Sequence, residues 1–130
     1  MKIYDCFMFF DEEMLLDLRL NIMNKYVDKF VITEATYMHS GRPKKLLFDI
    51  NKFSKFKDKI IYNVVDKEPP DIETIYEEDK DEKDTRGQKL VNNSNKREHF
   101  QREMAQESLK VLAEANPEDI ILISDVDEIP

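Results

Sequence analysis

The chain has 130 residues and a formal net charge of −8, because 28 acidic side chains outweigh 20 basic ones. This acidic balance argues against a nucleic acid as the main partner, while 41% hydrophobic residues suffice for one globular core. The chain contains only two glycines, two histidines and one cysteine. Their scarcity excludes glycine-rich phosphate loops, zinc fingers and disulfide frameworks, so any bound metal must be held by carboxylates.

The chain opens with a predicted strand and a predicted helix. Residues 2–10 (KIYDCFMFF) are rich in aromatic and β-branched side chains, which indicates a strand buried on both faces. Cys6 is interpreted as a small buried residue and not as a nucleophile, because its neighbours are hydrophobic. Asp11 is a candidate N-cap, and apolar residues then recur at helical spacing. These predicted core positions are Met14, Leu15, Leu18 and Ile22 in the helix, and Tyr4, Phe7, Phe9 and Phe10 in the strand.

A second strand is predicted over residues 30–34 (FVITE), and a third over residues 59–65 (KIIYNVV). Between them, residues 36–43 mix Tyr, His, Ser, Gly and Pro as an ordered loop does, and loops that follow strands are common ligand sites. A short helix is predicted before the third strand, on the spacing of Phe48, Ile50, Phe53 and Phe56.

The next segment is strongly acidic. Residues 66–86 contain ten acidic and four basic side chains, with a Pro-Pro pair near their start at Pro69 and Pro70, so we predict an exposed, flexible loop that extends over residues 66–95. It is interpreted as a solvated insertion, with a docking surface for a basic partner as the alternative.

The last predicted elements are a long helix and a strand. Asn95 and Glu98 resemble a helix start, and Asn116-Pro117 a helix end. The apolar stripe between them contains Phe100, Met104, Leu109, Leu112 and Ala115. Residues 120–123 then predict a buried strand. Strands that alternate with helices indicate an α/β fold: a mostly parallel sheet with flanking helices.

Three acidic residues, Asp125, Asp127 and Glu128, lie just after the last predicted strand. Asp125 and Asp127 are two positions apart, so in extended backbone their carboxylates can point the same way and repel each other. A hard divalent cation relieves that repulsion, and Mg²⁺ typically takes one or two carboxylates together with substrate phosphates. The pair therefore predicts a metal site for a diphosphate substrate, although acidic residues also follow strands simply to meet water.

The chain resembles glycosyltransferase family 17, which includes the β-1,4-mannosyl-glycoprotein β-1,4-N-acetylglucosaminyltransferases. The most specific blocks are the EAT-x-x-HSG-x-P segment that begins at Glu34 and the closing DIILISDVDEIP; KIYDCFMFF, KIIYNVV and REHFQRE add to them. The resemblance implies a GT-A (Rossmann-like) nucleotide-sugar-binding domain. It also implies a UDP-sugar donor, UDP-N-acetylglucosamine, and a metal-assisted, inverting transfer to a glycan hydroxyl.

The resemblance also implies roles for individual residues. Asp125 and Asp127 match the family's Asp-x-Asp motif and would hold Mn²⁺ or Mg²⁺ across the donor diphosphate, with Glu128 beside them. Four further residues would contact the donor, although Glu34 is equally consistent with a strand-end carboxylate that pairs with a Lys or Arg. These residues are Glu34 at the base or ribose, Arg42 at a phosphate, and Arg97 and Gln101 on the long helix. On the same helix, Glu98 and Arg102 fit an ordinary ion pair. In addition, His39 would reach a hydroxyl.

Members of the family continue past the Asp-x-Asp segment, so we expect a single N-terminal domain or fragment over residues 1–130. The acceptor site and the general base would then lie beyond Pro130, and an exposed sheet edge could support a homo-oligomer. No secretory signal and no apolar run near ~20 residues is present, and one unpaired cysteine suits a reducing compartment. We therefore expect a cytoplasmic protein that does not contact a membrane.

Two other functions compete with this interpretation. A strand followed by Asp-x-Asp also occurs in haloacid dehalogenase-like phosphatases, although there the motif lies near the start of the chain. A non-catalytic truncated module that binds a basic partner through its acidic loop is the second alternative.

Overall fold

The computed structural model describes residues 1–79, 85–111 and 115–130. Its elements, in chain order, are β1 (Ile3–Met8), α1 (Glu13–Met23), β2 (Lys29–Ala35), a 3₁₀-helical segment (Ile50–Lys59), β3 (Ile60–Val65), α2 (Thr85–Val111) and β4 (Ile120–Ile123). The four strands form one sheet in the order β3-β2-β1-β4, and every neighbouring pair is parallel. The predicted α/β class is confirmed, and the arrangement is consistent with a Rossmann-like fold.

Both faces of the sheet are covered, which explains why β1 is apolar at every position except Asp5. Phe7 and Phe9 pack in one core with residues of α1 and the 3₁₀-helical segment. Cys6, on the opposite face, packs with Leu109 of α2. Successive side chains of a strand point to opposite faces, so a strand between two helical layers needs apolar residues at nearly every position.

Helix α1 buries a different face from the one predicted. Met14, Leu18 and Ile22 are exposed. The buried face consists of Leu16, Arg19, Leu20 and Met23. The pattern was misleading because the buried face contains an arginine, and Arg19 is fully buried in an ion pair with Asp5. The helix begins at Glu13 with Glu12, and not Asp11, at the N-cap position.

Helix α2 begins at Thr85, well before the predicted start at Asn95, so residues 85–95 are helical and not part of a loop. Gly, Ser and three Asn residues make this stretch a weak helix former. Contacts with the preceding segment compensate: the Asn93 side chain accepts a hydrogen bond from Glu73 N (2.8 Å) and donates one to Glu73 O (2.9 Å). Residues 80–84 of the predicted loop, and Leu112 of the predicted stripe, lie outside the described residues.

The acidic segment before α2 is partly neutralised within the chain. Residues 66–79 contain no strand or helix, yet their carboxylates pair with basic side chains of α2. The ion pairs are Arg97–Glu68 (2.8 Å), Lys89–Asp79 (2.9 Å) and Lys96–Asp71 (3.8 Å). The predicted solvated insertion therefore lies against the helix over this stretch. Binding of a basic partner stays a prediction, and such a partner would compete with these lysines and this arginine.

Strand β4 was predicted to be buried, but Ile120 and Ile123 are exposed because β4 is at one end of the strand order. Self-association through this edge stays a prediction. Among the helices that the structure describes, none has the length and hydropathy that crossing a bilayer requires.

Candidate functional site

A cavity of about 240 Å³ lies where β1 and β4 end. The connections from β1 to β2 and from β2 to β3 cover one face of the sheet, whereas α2, between β3 and β4, covers the other. The direction in which successive strands are added to the sheet therefore switches between β1 and β4, although all four strands are parallel. In open parallel sheets this reversal point, at the carboxyl ends of the strands, is the usual ligand site. The cavity is lined by Met8, Phe10, Glu12, Leu15, His39, Glu98, Asp125, Val126 and Asp127. A second cavity of about 330 Å³, between β3 and α2, is lined by none of the predicted site residues.

The two aspartates of the Asp-x-Asp motif both line this cavity, because a turn directly after β4 presents them there. Glu128 N donates to Asp125 O (2.9 Å), and Glu128 Oε1 accepts from Asp125 N (3.0 Å). Val126, between the aspartates, is buried and packs in the α1-side core. Glu128 therefore shapes the turn through its own side chain, and it is not among the residues that line the cavity.

The cavity is strongly acidic, since Glu12 and Glu98 join the two aspartates in its wall. Arg102 Nη2 lies 3.1 Å from Glu98 Oε1 and 3.3 Å from Asp125 Oδ1, which partly balances this charge. The predicted Glu98–Arg102 ion pair is confirmed, one helical turn apart on α2. Converging carboxylates with one nearby guanidinium suit a cation or a hydroxyl-rich ligand better than a bare anion.

The metal prediction rests on carboxylate chemistry alone. In the described ranges, no group of three or more His, Cys, Asp or Glu side chains is arranged to hold an ion. Two aspartates fit the hard cations Mg²⁺ and Mn²⁺, which prefer oxygen ligands and accept the rest of their shell from phosphate and water. The residues present thus fit an ion that binds together with a phosphate-bearing ligand.

His39 reaches the cavity from the loop after β2. Its ring stands edge-on to Phe10, with centroids 5.1 Å apart and an interplanar angle of 89°. Its Nε2 atom is buried, and no described residue forms a hydrogen bond with it. A buried polar atom without a partner costs about 1–3 kcal/mol, so a ligand in the cavity would gain by bonding to it.

Arg97 was predicted to contact the donor, but the structure places it under the loop that carries His39. It donates to Glu68 Oε1 (2.8 Å) and to His39 O (3.0 Å). Gly41 makes the close approach possible: its φ is +93°, and a Cβ there would lie 2.7 Å from the Arg97 guanidinium. Arg97 is therefore a support of this loop and does not line the cavity.

The structure does not bring the remaining predicted donor contacts into the cavity. Gln101 is buried on α2, and its Nε2 has no hydrogen-bond partner among the described residues. Arg42 is exposed at the tip of the loop, where its carbonyl accepts from Met38 N (2.8 Å). Cys6 is buried, and burial together with the neighbouring Asp5 raises the pKa of its thiol to about 12, in agreement with its predicted inertness.

Glu34 is buried at the end of β2, and its two oxygens accept four hydrogen bonds. The donors are Leu47 N (2.7 Å), Phe48 N (3.1 Å), Tyr62 Oη (2.7 Å) and Lys44 Nζ. These contacts match the alternative prediction, a strand-end carboxylate that pairs with a lysine. Burial disfavours the charged carboxylate, but the hydrogen bonds from Leu47, Lys44, Tyr62 and Phe48 outweigh it, so the pKa of Glu34 is lowered.

We expect Glu34→Gln to lower the free energy of unfolding most at neutral pH and least in acid. The pKa of Glu34 is lower in the folded state than its ordinary value of 4.5. Its stabilising effect is therefore complete above about pH 4.5 and is lost as the pH falls through the folded pKa. Urea unfolding of both proteins between pH 3 and 7 measures this difference. Glu13→Gln, in the exposed pair with Lys52, is the control and should change little; a Glu34→Gln effect of constant size would contradict the prediction.

Arg19 is a residue of this region that the sequence patterns did not reveal. Its side chain is fully buried, yet it donates to Asp125 O (2.5 Å) and to Ser124 Oγ (2.7 Å), directly beside the Asp-x-Asp motif. One signal could have found it: an arginine at helical spacing from Leu16, Leu20 and Met23, together with an aspartate inside the apolar strand β1.

The comparisons with known proteins give one match. A family model described as "Glycosyltransferase family 17" matches residues 1–130, which is the whole chain. No curated protein and no solved structure matches the chain. The resemblance that the sequence motifs indicated is thereby confirmed.

Proposed function

This chain belongs to glycosyltransferase family 17, and from that membership we propose that it transfers N-acetylglucosamine from a UDP-sugar to a glycan hydroxyl, with inversion. The family supports sugar transfer, and therefore a sugar donor and an acceptor. The sugar, the nucleotide and the inversion follow from the family resemblance, and one observation carries the proposed donor site. Asp125 and Asp127 line the same cavity, and that cavity lies at the reversal point of a parallel sheet.

In this proposal Asp125 and Asp127 hold Mn²⁺ or Mg²⁺ against the donor diphosphate. Their side chains contribute two hard oxygen ligands, and phosphate oxygens and water complete the shell. When bound, the ion supplies positive charge that offsets the negative charge on the departing nucleotide. Arg102 does not itself line the cavity, but its Nη2 is 3.3 Å from Asp125 Oδ1, so its guanidinium is close to the proposed ion site and is suited to a phosphate oxygen.

The other cavity residues suit the sugar part of the donor. Glu12 and Glu98 are carboxylates that can accept hydrogen bonds from hydroxyls. The unpartnered Nε2 of His39 can bond to a hydroxyl or a phosphate oxygen. Phe10 adds an apolar wall, and Arg97 acts indirectly by holding the His39 loop. The family also implies donor contacts for Gln101, Arg42, Glu34 and Glu128, and these contacts stay predictions.

The proposal is tested by the thermal stability of the chain with UDP and Mn²⁺, each alone and both together. A ligand that binds only the folded state at a hundredfold excess over its Kd stabilises it by about 2.7 kcal/mol. For a chain of this size the Tm should then rise by roughly 8–12 °C. We expect the rise with the pair, and little with either component alone.

ADP with Mn²⁺ is the matched control for nucleotide selectivity. An equal rise with ADP would mean that the site binds diphosphates without reading uridine. No rise with UDP and Mn²⁺ at millimolar concentrations would overturn the proposed donor site, although the family membership would stand.

A further inference from the structure

The side chain of Arg19 connects the buried core to the turn that carries the Asp-x-Asp motif. Arg19 is on α1 and is 0% exposed. Its Nε and Nη2 donate to the two carboxylate oxygens of Asp5 on β1, at 2.9 and 2.6 Å. Its guanidinium carbon is 4.3 Å from the centre of the Phe7 ring. One end of the guanidinium is thus fully neutralised and packed.

The remaining N–H groups of the guanidinium face residues 124–128. Nη2 donates to Ser124 Oγ (2.7 Å), and Nη1 donates to Asp125 O (2.5 Å) and Glu128 O (3.4 Å). Ser124 Oγ in turn donates to Glu128 O (3.0 Å). Among the described residues, the acceptors outside the ion pair therefore all belong to the one turn that presents Asp125 and Asp127 to the cavity.

Stability alone is a weak reason for such an arrangement. Removing a guanidinium and a carboxylate from water is costly, and well-packed apolar residues of similar volume often stabilise a core equally well or better. A planar guanidinium differs from an apolar side chain because it can hold several carbonyl and hydroxyl oxygens in fixed directions at once. That property matches the contacts with the turn.

We propose that Arg19 is a positioning residue: it holds the main chain of residues 124–128 so that the Asp125 and Asp127 carboxylates face the cavity. The inference deepens the proposed function and rests on it. Ligand sites require side chains held within about 0.5 Å of the productive geometry. The turn has hydrogen bonds of its own, between Asp125 and Glu128, and Val126 anchors it in the core. Arg19 adds contacts at both its first and its last residues and so connects the turn to α1 and β1.

The first measurement needs no ligand. Amide hydrogen exchange of the full chain is compared between wild type and Arg19→Lys, a variant that keeps the charge but loses the planar fork. We expect the Glu128 amide, which bonds to Asp125 O, to exchange about 5- to 30-fold faster in the variant. Met23→Ala is the matched control, because Met23 is buried on the same face of α1 one turn further along. It should lower the Tm without a selective effect on the turn.

The second measurement is Mn²⁺ binding in the presence of UDP, followed by electron paramagnetic resonance. Residues that orient metal ligands typically change metal affinity about 10- to 100-fold when they are replaced. We expect a loss of this size for Arg19→Lys, and wild-type affinity for Met23→Ala below its Tm. If Arg19→Lys does not fold, Ser124→Ala removes one of the contacts without a buried charge, and it should show both effects in weaker form.

The outcomes separate the two proposals. The positioning role would be overturned if the turn amides exchange at the wild-type rate in a folded Arg19→Lys variant. If Arg19→Lys does not fold, the same result in Ser124→Ala would overturn it. Equal losses of affinity for Arg19→Lys and Met23→Ala would also overturn it, since general destabilisation would then explain them. If wild type itself does not bind Mn²⁺ with UDP, the proposed function fails, while the exchange data still decide whether Arg19 holds the turn.

Discussion

Replacement of Asp5 by alanine should lower the free energy of unfolding by about 3–5 kcal/mol, the largest stability effect that we expect in this chain. Asp5 and Arg19 are both 0% exposed, and Asp5 accepts two hydrogen bonds from the guanidinium. Without the carboxylate, the guanidinium would remain buried with an unbalanced charge. Urea unfolding at neutral pH measures the loss.

Two further variants show whether the unbalanced charge is the cause. Removing both partners in Asp5→Leu with Arg19→Met should cost much less than Asp5→Ala alone, because no buried charge remains. Glu13→Ala, in an ion pair whose side chains are about half exposed, should cost at most about 1 kcal/mol. A loss for Asp5→Ala as small as that for Glu13→Ala would contradict the prediction.

Replacement of Asp127 by alanine should abolish the rise in Tm that UDP and Mn²⁺ together produce. Asp127 is exposed and lines the cavity. Within the described part of the chain, its side chain forms no hydrogen bond or ion pair that the fold would lose. The variant should therefore unfold within about 0.5 kcal/mol of wild type when no ligand is present. Differential scanning fluorimetry with and without UDP and Mn²⁺ measures both quantities.

Glu118→Ala is the control for Asp127→Ala, since Glu118 is another exposed acidic residue near the end of the chain that does not line the cavity. It should keep the full ligand-dependent rise. A rise that survives Asp127→Ala would remove this residue from the site, and it would leave Asp125 as the candidate ligand of the ion and Arg102 as the candidate contact of the diphosphate.

Several elements could be predicted from the sequence because local patterns determine them. The apolar runs of the strands predicted all four, and β4 has the predicted bounds Ile120–Ile123. Strands between two helical layers have no polar face, so an almost uninterrupted apolar run is enough to identify them. The location of Asp125 and Asp127 at one cavity could also be predicted, because both lie just after a parallel strand and ligands bind at the carboxyl ends of such strands.

Patterns failed where a charged residue is buried or where a distant segment stabilises a weak helix. The exposed face of α1 was mistaken for the buried one because Arg19 breaks the apolar stripe, and its partner Asp5 is on another element. The early start of α2 depends on the contacts between Asn93 and Glu73, which no local propensity reveals. Arg97 was recognised by its motif, but its contact with the His39 loop was not.

The sequence alone thus determined the order of the elements, the α/β class, the glycosyltransferase family and the two aspartates at the end of β4. Each of these depends on neighbours in the chain or on a motif, and both can be read locally. Only the tertiary structure decided which residues surround the aspartates, because the sheet order brings β1 beside β4 and α1 across them. The roles of Arg19, His39 and Arg97 arise from such long-range contacts, in which polar groups removed from water must find partners wherever the fold supplies them.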